Sequence, residues 1–168
     1  MAPESYEDSL RASLVSVLHT HVGEPGTLTG EGKTARFEIK KALRGGTCAA
    51  ESSLDYALPS GQRLTHLADV LISLPSGRIV TIELRWASDQ TDQLKARAYD
   101  MLHLKQALGK ELTGILIYLR AGLGGLSAEQ GREICYPFDQ FIVLEHQDPQ
   151  NPAMWVPVLD RIEAEVSR

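Results

Sequence analysis

THLADVLISLPSGRIVTIELRW (65–86) is the stretch whose reading decides the fold. Two runs rich in Val, Ile, Leu and Thr, 65–74 and 78–86, flank Pro75-Ser76-Gly77. β-Branched, apolar runs of this length read as strands, and the tripeptide between them supplies a turn, so an antiparallel hairpin is predicted. In the second run, period-two alternation puts Val80, Ile82, Leu84 and Trp86 on one face and Thr81, Glu83 and Arg85 on the other. Each run also carries one acid out of place: Asp69 interrupts LADVLISL, and Glu83 interrupts IVTIELRW. Burying a carboxylate among Val, Leu and Ile is costly unless a cation or metal pairs with it. Asp69 and Glu83, with Arg85 projecting beside Glu83, are therefore the candidate site.

Working outward, SSLDYAL (52–58) reads as a further strand, ended by Pro59-Ser60-Gly61. TARFEIKKALR (34–44) projects as a helix with Ala35, Ile39, Ala42 and Leu43 on one face and Lys33, Arg36, Lys40 and Arg44 on another, stopped by Gly45-Gly46. An N-terminal helix is expected over about 4–21, and the glycine- and proline-bearing segment 23–32 is a loop or hairpin. Downstream come a long helix (about 89–108), a buried strand (113–120) and a helical turn near 127–132. A strand near 140–145 and a helix near 157–167 follow. From 34 to 120 the order is helix, three strands, helix, strand. It predicts a single α/β domain over 1–168, with a central mixed sheet flanked by helices and a C-terminal strand and helix extension over about 133–168.

Composition narrows the function classes. At 168 residues, with 43% apolar and 23% charged side chains, the chain has the make-up of one globular domain rather than a disordered one. A net charge of −5 excludes a uniformly basic coat for nucleic acid or anionic membrane. The acidity is uneven: Lys33, Arg36, Lys40, Lys41 and Arg44 stand against Glu38 alone, a local +4 that leaves −9 for the remainder. Lys33, Arg36, Lys40 and Arg44 are accordingly the candidate nucleic-acid contacts, binding phosphate weakly and with salt sensitivity. Cys48 and Cys135 show no metal or disulfide spacing. Acids in MAPESYEDSL, where a leader would be basic, and the lack of any run near 20 apolar residues give the expectation of a cytoplasmic protein with no membrane partner. His66 and Asp69, three apart on a strand, fall on opposite faces by strict alternation and make a poor metal pair.

Asp69, thirteen intervening residues and then Glu83-Leu84-Arg85 resembles the PD-(D/E)xK nuclease signature. The element order over about 34–120 resembles the restriction-endonuclease-like core that carries it. The resemblance implies Mg²⁺- or Mn²⁺-dependent hydrolysis of phosphodiesters in DNA, with RNA as a second substrate. Asp69 and Glu83 would be metal ligands, joined by the Leu84 carbonyl and by Glu38 on the preceding helix. A homodimer would place one site on each strand of a duplex. The sequence departs from the signature at the lysine position, where Arg85 stands. Arginine keeps its proton under ordinary conditions, so it can stabilise charge but cannot serve as a base, and Lys95 on the next helix is the candidate substitute ammonium. Two other readings remain open from sequence. One is a catalytically inactive nuclease-fold protein acting as a nucleic-acid-binding or complex-forming subunit; the other is a protein–protein interaction domain.

Overall fold

A computed structural model describes residues 5–22, 27–30, 33–36, 43–86, 91–120, 125–145 and 147–168. Helix α1 (Tyr6–Val22) opens the chain, followed by a two-stranded hairpin of β1 (Thr27–Gly30) and β2 (Lys33–Arg36). Three long strands come next: β3 (Thr47–Ala57), β4 (Arg63–Ser73) and β5 (Ile79–Trp86). Then follow α2 (Thr91–Leu108), β6 (Leu112–Leu119), α3 (Ala128–Ile134), β7 (Gln140–Leu144) and α4 (Val156–Val166). The five strands after the hairpin form one sheet in the order β3-β4-β5-β6-β7. Its first three strands are antiparallel neighbours, whereas β5–β6 and β6–β7 are parallel. Parallel neighbours need a crossover, and α2 and α3 supply the two crossovers. The chain is thus an α/β protein with a mixed sheet flanked by helices. No helix among the described residues is long and apolar enough to cross a membrane.

Both hairpins of the β3-β4-β5 meander turn on the same tetrapeptide, Leu58-Pro59-Ser60-Gly61 and Leu74-Pro75-Ser76-Gly77. In each, proline presets φ, the glycine N–H bonds back to the leucine carbonyl, and the glycine takes a φ of 88°, which a residue with a Cβ adopts only under strain. β6 is buried along its whole length, as its unbroken apolar run requires of a strand covered on both faces. One core lies between the sheet and α1 with α4, where Leu10, Leu14, Val17, Val158 and Ile162 meet Val80, Ile82 and Leu84. The second lies under α2 and α3, where Leu94, Met101 and Leu104 meet Leu116, Tyr118 and Phe141. At the start of α1, Ser5 and Asp8 exchange backbone-to-side-chain hydrogen bonds, a reciprocal cap. The Ser5 hydroxyl holds the Asp8 carboxyl below its ordinary range.

The expected helix over 34–44 does not begin at 34, and residues 37–42 of that span lie outside the described residues. Residues 33–36 are strand β2, paired antiparallel with 27–30, and residues 43–46 form a short turn. The eleven-residue window fits a helical projection, but cross-strand pairing with the preceding segment satisfies the same backbone and overrides that local fit. Among the described residues, the α-helix that precedes the three-strand meander is α1.

A second departure concerns β3 and β4. Cys48, Val70 and Ile72 pack in the α1-side core, whereas Leu54 and Tyr56, of the same parity, pack against the α2-side core. Leu54 pairs with His66, so His66 lies on the α2 side as well. Both strands therefore change phase between these pairs. The change falls at Glu51 and Asp69, the one opposed pair missing from an otherwise continuous ladder, and Glu51 has a φ of 48°. A left-handed residue inside a strand is a local kink of the kind that re-aims side chains.

Candidate functional site

The site lies where β4 and β5 part. Their ladder runs from Ser73–Ile79 to Val70–Ile82 and goes no further. Beyond it the Asp69 carboxylate takes over a ladder bond, with Oδ2 accepting the Leu84 backbone N–H at 2.9 Å. β5 keeps its alternation, so Leu84 enters the α1-side core while Glu83 and Arg85 project from the opposite face. Glu83 is only 1% exposed.

The charges are paired, and the pairing has a centre. Arg85 Nη1 donates to the Leu84 carbonyl at 2.7 Å and to Asp69 Oδ2 at 3.3 Å. Arg85 Nη2 reaches Glu83 Oε2 at 3.2 Å. One guanidinium therefore gathers both carboxylates of the motif and the carbonyl of the residue between Glu83 and Arg85. The remaining oxygens are also held: Glu83 Oε1 lies 2.7 Å from His66 Nε2, and Asp69 Oδ1 accepts from Arg11 Nη2 at 3.3 Å.

Arg11 is a second hub. Besides Asp69 it pairs with Glu7 and Asp8 on its own helix and with Glu51 at the β3 kink. Its Nε is buried without a hydrogen-bond partner. Five carboxylates (Glu7, Asp8, Glu51, Asp69 and Glu83) face two guanidiniums, so the cluster keeps an excess of negative charge. A cleft of about 370 Å³ opens beside it, lined by Glu7, Arg85, Trp86, Gln93, Arg97 and Asp100.

Asp69, Glu83, Leu84 and Arg85 are thus brought together. Lys95 is exposed on α2 and contributes none of the cluster's hydrogen bonds; the α2 cation lining the cleft is Arg97. Lys33 and Arg36 lie on strand β2, so they share no helical face with Arg44, which is exposed in a turn. Glu38 and Lys40 lie outside the described residues. Among the described residues, no group of three or more His, Cys, Asp or Glu side chains is arranged to hold a metal ion. What converges is two carboxylates and a backbone carbonyl, gathered by the Arg85 guanidinium.

No family model, no curated protein and no solved structure matches the chain. Two anionic oxygens and one carbonyl oxygen are hard donors of the kind Mg²⁺ and Mn²⁺ take, and three protein ligands would leave the other octahedral positions to water and substrate. The donor chemistry suits such an ion, while in this structure the Arg85 guanidinium contacts all three oxygens.

Five contributors are not legible in the sequence. Glu7, Asp8 and Arg11 read as an ordinary i, i+3 and i, i+4 charge cluster, with nothing to tie it to a strand 58 residues away. Glu51 gives no sign of its backbone conformation. His66 was set aside because strict alternation turns it from Asp69, but the kink at Asp69 breaks that alternation.

Proposed function

We propose that the chain is a nuclease-like domain with a restriction-endonuclease-like core and a PD-(D/E)xK-like site, hydrolysing DNA phosphodiesters with Mg²⁺ or Mn²⁺. The element order supports the fold reading: α1, the antiparallel meander β3-β4-β5, the crossover α2, and β6 parallel to β5. The observation that carries the functional reading is that Asp69 Oδ2, the Leu84 carbonyl and Glu83 Oε2 all meet one cation, the Arg85 guanidinium.

Asp69, Glu83 and the Leu84 carbonyl would hold the ion, which supplies polarisation of the phosphate and a bound water of lowered pKa. Arg85 stays cationic, so its part is to neutralise charge on the phosphate from the cleft side. Arg97, half-buried on the same cleft, is placed to take a neighbouring phosphate oxygen. Glu7 and Asp100 bring negative charge to the same cleft and make non-specific phosphate binding weak and salt-sensitive.

The test joins Mn²⁺ titration calorimetry to nicking of plasmid DNA under Mg²⁺ or Mn²⁺. Wild type binds the ion and nicks, while Asp69→Asn and Glu83→Gln each lose nicking and weaken binding at least about tenfold. Wild-type protein that gives no Mn²⁺ heat and no nicking overturns the catalytic reading.

One observation favours a second reading. Every carboxylate oxygen of Asp69 and Glu83 already has a protein donor. A site satisfied in this way suits a catalytically silent nucleic-acid-binding or complex-forming domain. DNA binding that persists in EDTA and survives Glu83→Gln would select it.

A further inference from the structure

We propose that His66 is a positioning residue for Glu83: it fixes one carboxylate oxygen so that the other is presented to the cation position. The inference rests on the reading of that position given above, and it concerns a side chain outside the motif.

Glu83 is buried, and its two oxygens divide their partners. Oε1 lies 2.7 Å from His66 Nε2, and Oε2 lies 3.2 Å from the Arg85 guanidinium. Paired with the Arg85 guanidinium through Oε2, Glu83 acts in this proposal as an acceptor, with His66 Nε2 as its donor. His66 is 7% exposed, cross-strand from Leu54, and it reaches the α2 side only because β4 changes phase at Asp69. The change of phase thus brings Asp69 to Arg85 and the Leu84 N–H, and His66 to Glu83.

Without that donor the Glu83 carboxylate would be free to rotate about its terminal bond. Both oxygens could then turn onto Arg85 as a bidentate fork, the preferred geometry of an arginine–carboxylate pair. That arrangement would lock the guanidinium in the cation's place. By holding Oε1, His66 limits Arg85 to a single contact with Glu83 and keeps Oε2 in the direction of Asp69 and the Leu84 carbonyl. His66 is not itself a ligand, since Nε2 is committed to Glu83 and neither Asp69 nor Arg85 bonds to it. It stands to Glu83 as the outer partners of metal sites stand to the ligands they orient.

Two variants of the full chain separate positioning from packing. His66→Leu removes the donor while keeping an apolar side chain of similar bulk; His66→Gln returns an N–H donor at nearly the same reach. Mn²⁺ titration calorimetry, with thermal melts of each protein, reads the difference. His66→Leu is expected to weaken Mn²⁺ binding at least about tenfold, and His66→Gln to stay within about threefold of wild type. Equal Mn²⁺ affinities for wild type and His66→Leu overturn the proposal, as does a His66→Gln protein as weak as His66→Leu.

In wild type, ¹⁵N NMR of the imidazole is expected to find the hydrogen on Nε2; a neutral ring carrying it on Nδ1 alone also overturns the proposal, even where His66→Leu fails to fold. A wild-type protein that binds no Mn²⁺ removes the cation reading and this inference together. Wild-type binding with no loss in His66→Leu removes only the role of His66.

Discussion

Arginine at position 85 does two things that lysine could not do in one place. Its planar fork contacts Asp69, Glu83 and the Leu84 carbonyl at once, whereas an ammonium is a point charge on a flexible stem. The same fork then competes with any ion for those oxygens, which yields a prediction at this scale. Arg85→Ala leaves two largely buried carboxylates without their shared cation. In EDTA it is expected to destabilise the protein by about 3 kcal/mol, the cost of breaking a buried charge network. Mn²⁺ should then raise the melting temperature of Arg85→Ala more than that of wild type, because the ion no longer displaces a guanidinium. Thermal melts in EDTA and in Mn²⁺ measure both effects, and equal Mn²⁺ shifts in the two proteins would count against a shared position. The residues of this network were unevenly legible. Asp69 and Glu83 stood out because a carboxylate in an apolar strand demands a partner. Arg11 did not, because its contact with Asp69 spans 58 residues and a helical arginine with acids three and four positions away already has local partners.

Elements were legible where turn chemistry and periodicity agreed, and illegible where pairing was non-local. The two Leu-Pro-Ser-Gly turns fix the meander from four residues each, and β6 and α2 follow from their apolar patterns. The helix expected over 34–44 does not hold at 34–36, because β1 and β2 settle the backbone of 33–36 by pairing with each other, which no single-segment projection contains. The phase change in β3 and β4 was hidden for a related reason. It depends on Glu51 adopting a φ of 48°, a conformation that glutamate does not advertise. Contact can also reverse a propensity rule, as Gly131 in α3 shows. Glycine in a helix ordinarily gains about 1 kcal/mol on replacement by alanine. A Cβ at Gly131, however, would run into the Phe141 ring, because α3 lies directly on β7. Gly131→Ala is therefore expected to destabilise by about 1–3 kcal/mol through overpacking, read by urea denaturation. A stabilised variant would show that α3 does not pack on β7 as described.

Across the whole molecule, the sheet divides two cores and each core buries one thiol, Cys48 on the α1 side and Cys135 on the α2 side. The overall charge of −5 is similarly structured, since three excess negative charges collect at the parting of β4 and β5. A cluster of that sign raises the local concentration of cations, whatever the sum over the chain. The thiols give this layered architecture a pH signature. Burial pushes Cys48 up to about 12 and Cys135 up to about 11, from an ordinary value of 9.0. The folded chain therefore keeps both protons well above the pH at which the unfolded chain loses them. Unfolding then releases protons, so the stabilising contribution is complete below about pH 9 and declines as pH rises toward the folded values. Each thiol contributes a loss of about 1.4 kcal/mol per pH unit in that window. Tyr56, raised by burial and by the nearby Asp100 carboxylate, adds a decline of the same sign at higher pH. Urea denaturation of wild type and of the Cys48→Ala, Cys135→Ala double variant, taken from pH 8 to 11, isolates the thiols from Tyr56 and the lysines. The double variant is less stable at pH 8 because it loses packing, and its stability falls less steeply above pH 9. Parallel curves above pH 9 would mean that the thiols meet water in the folded protein and that the two cores are not closed over them.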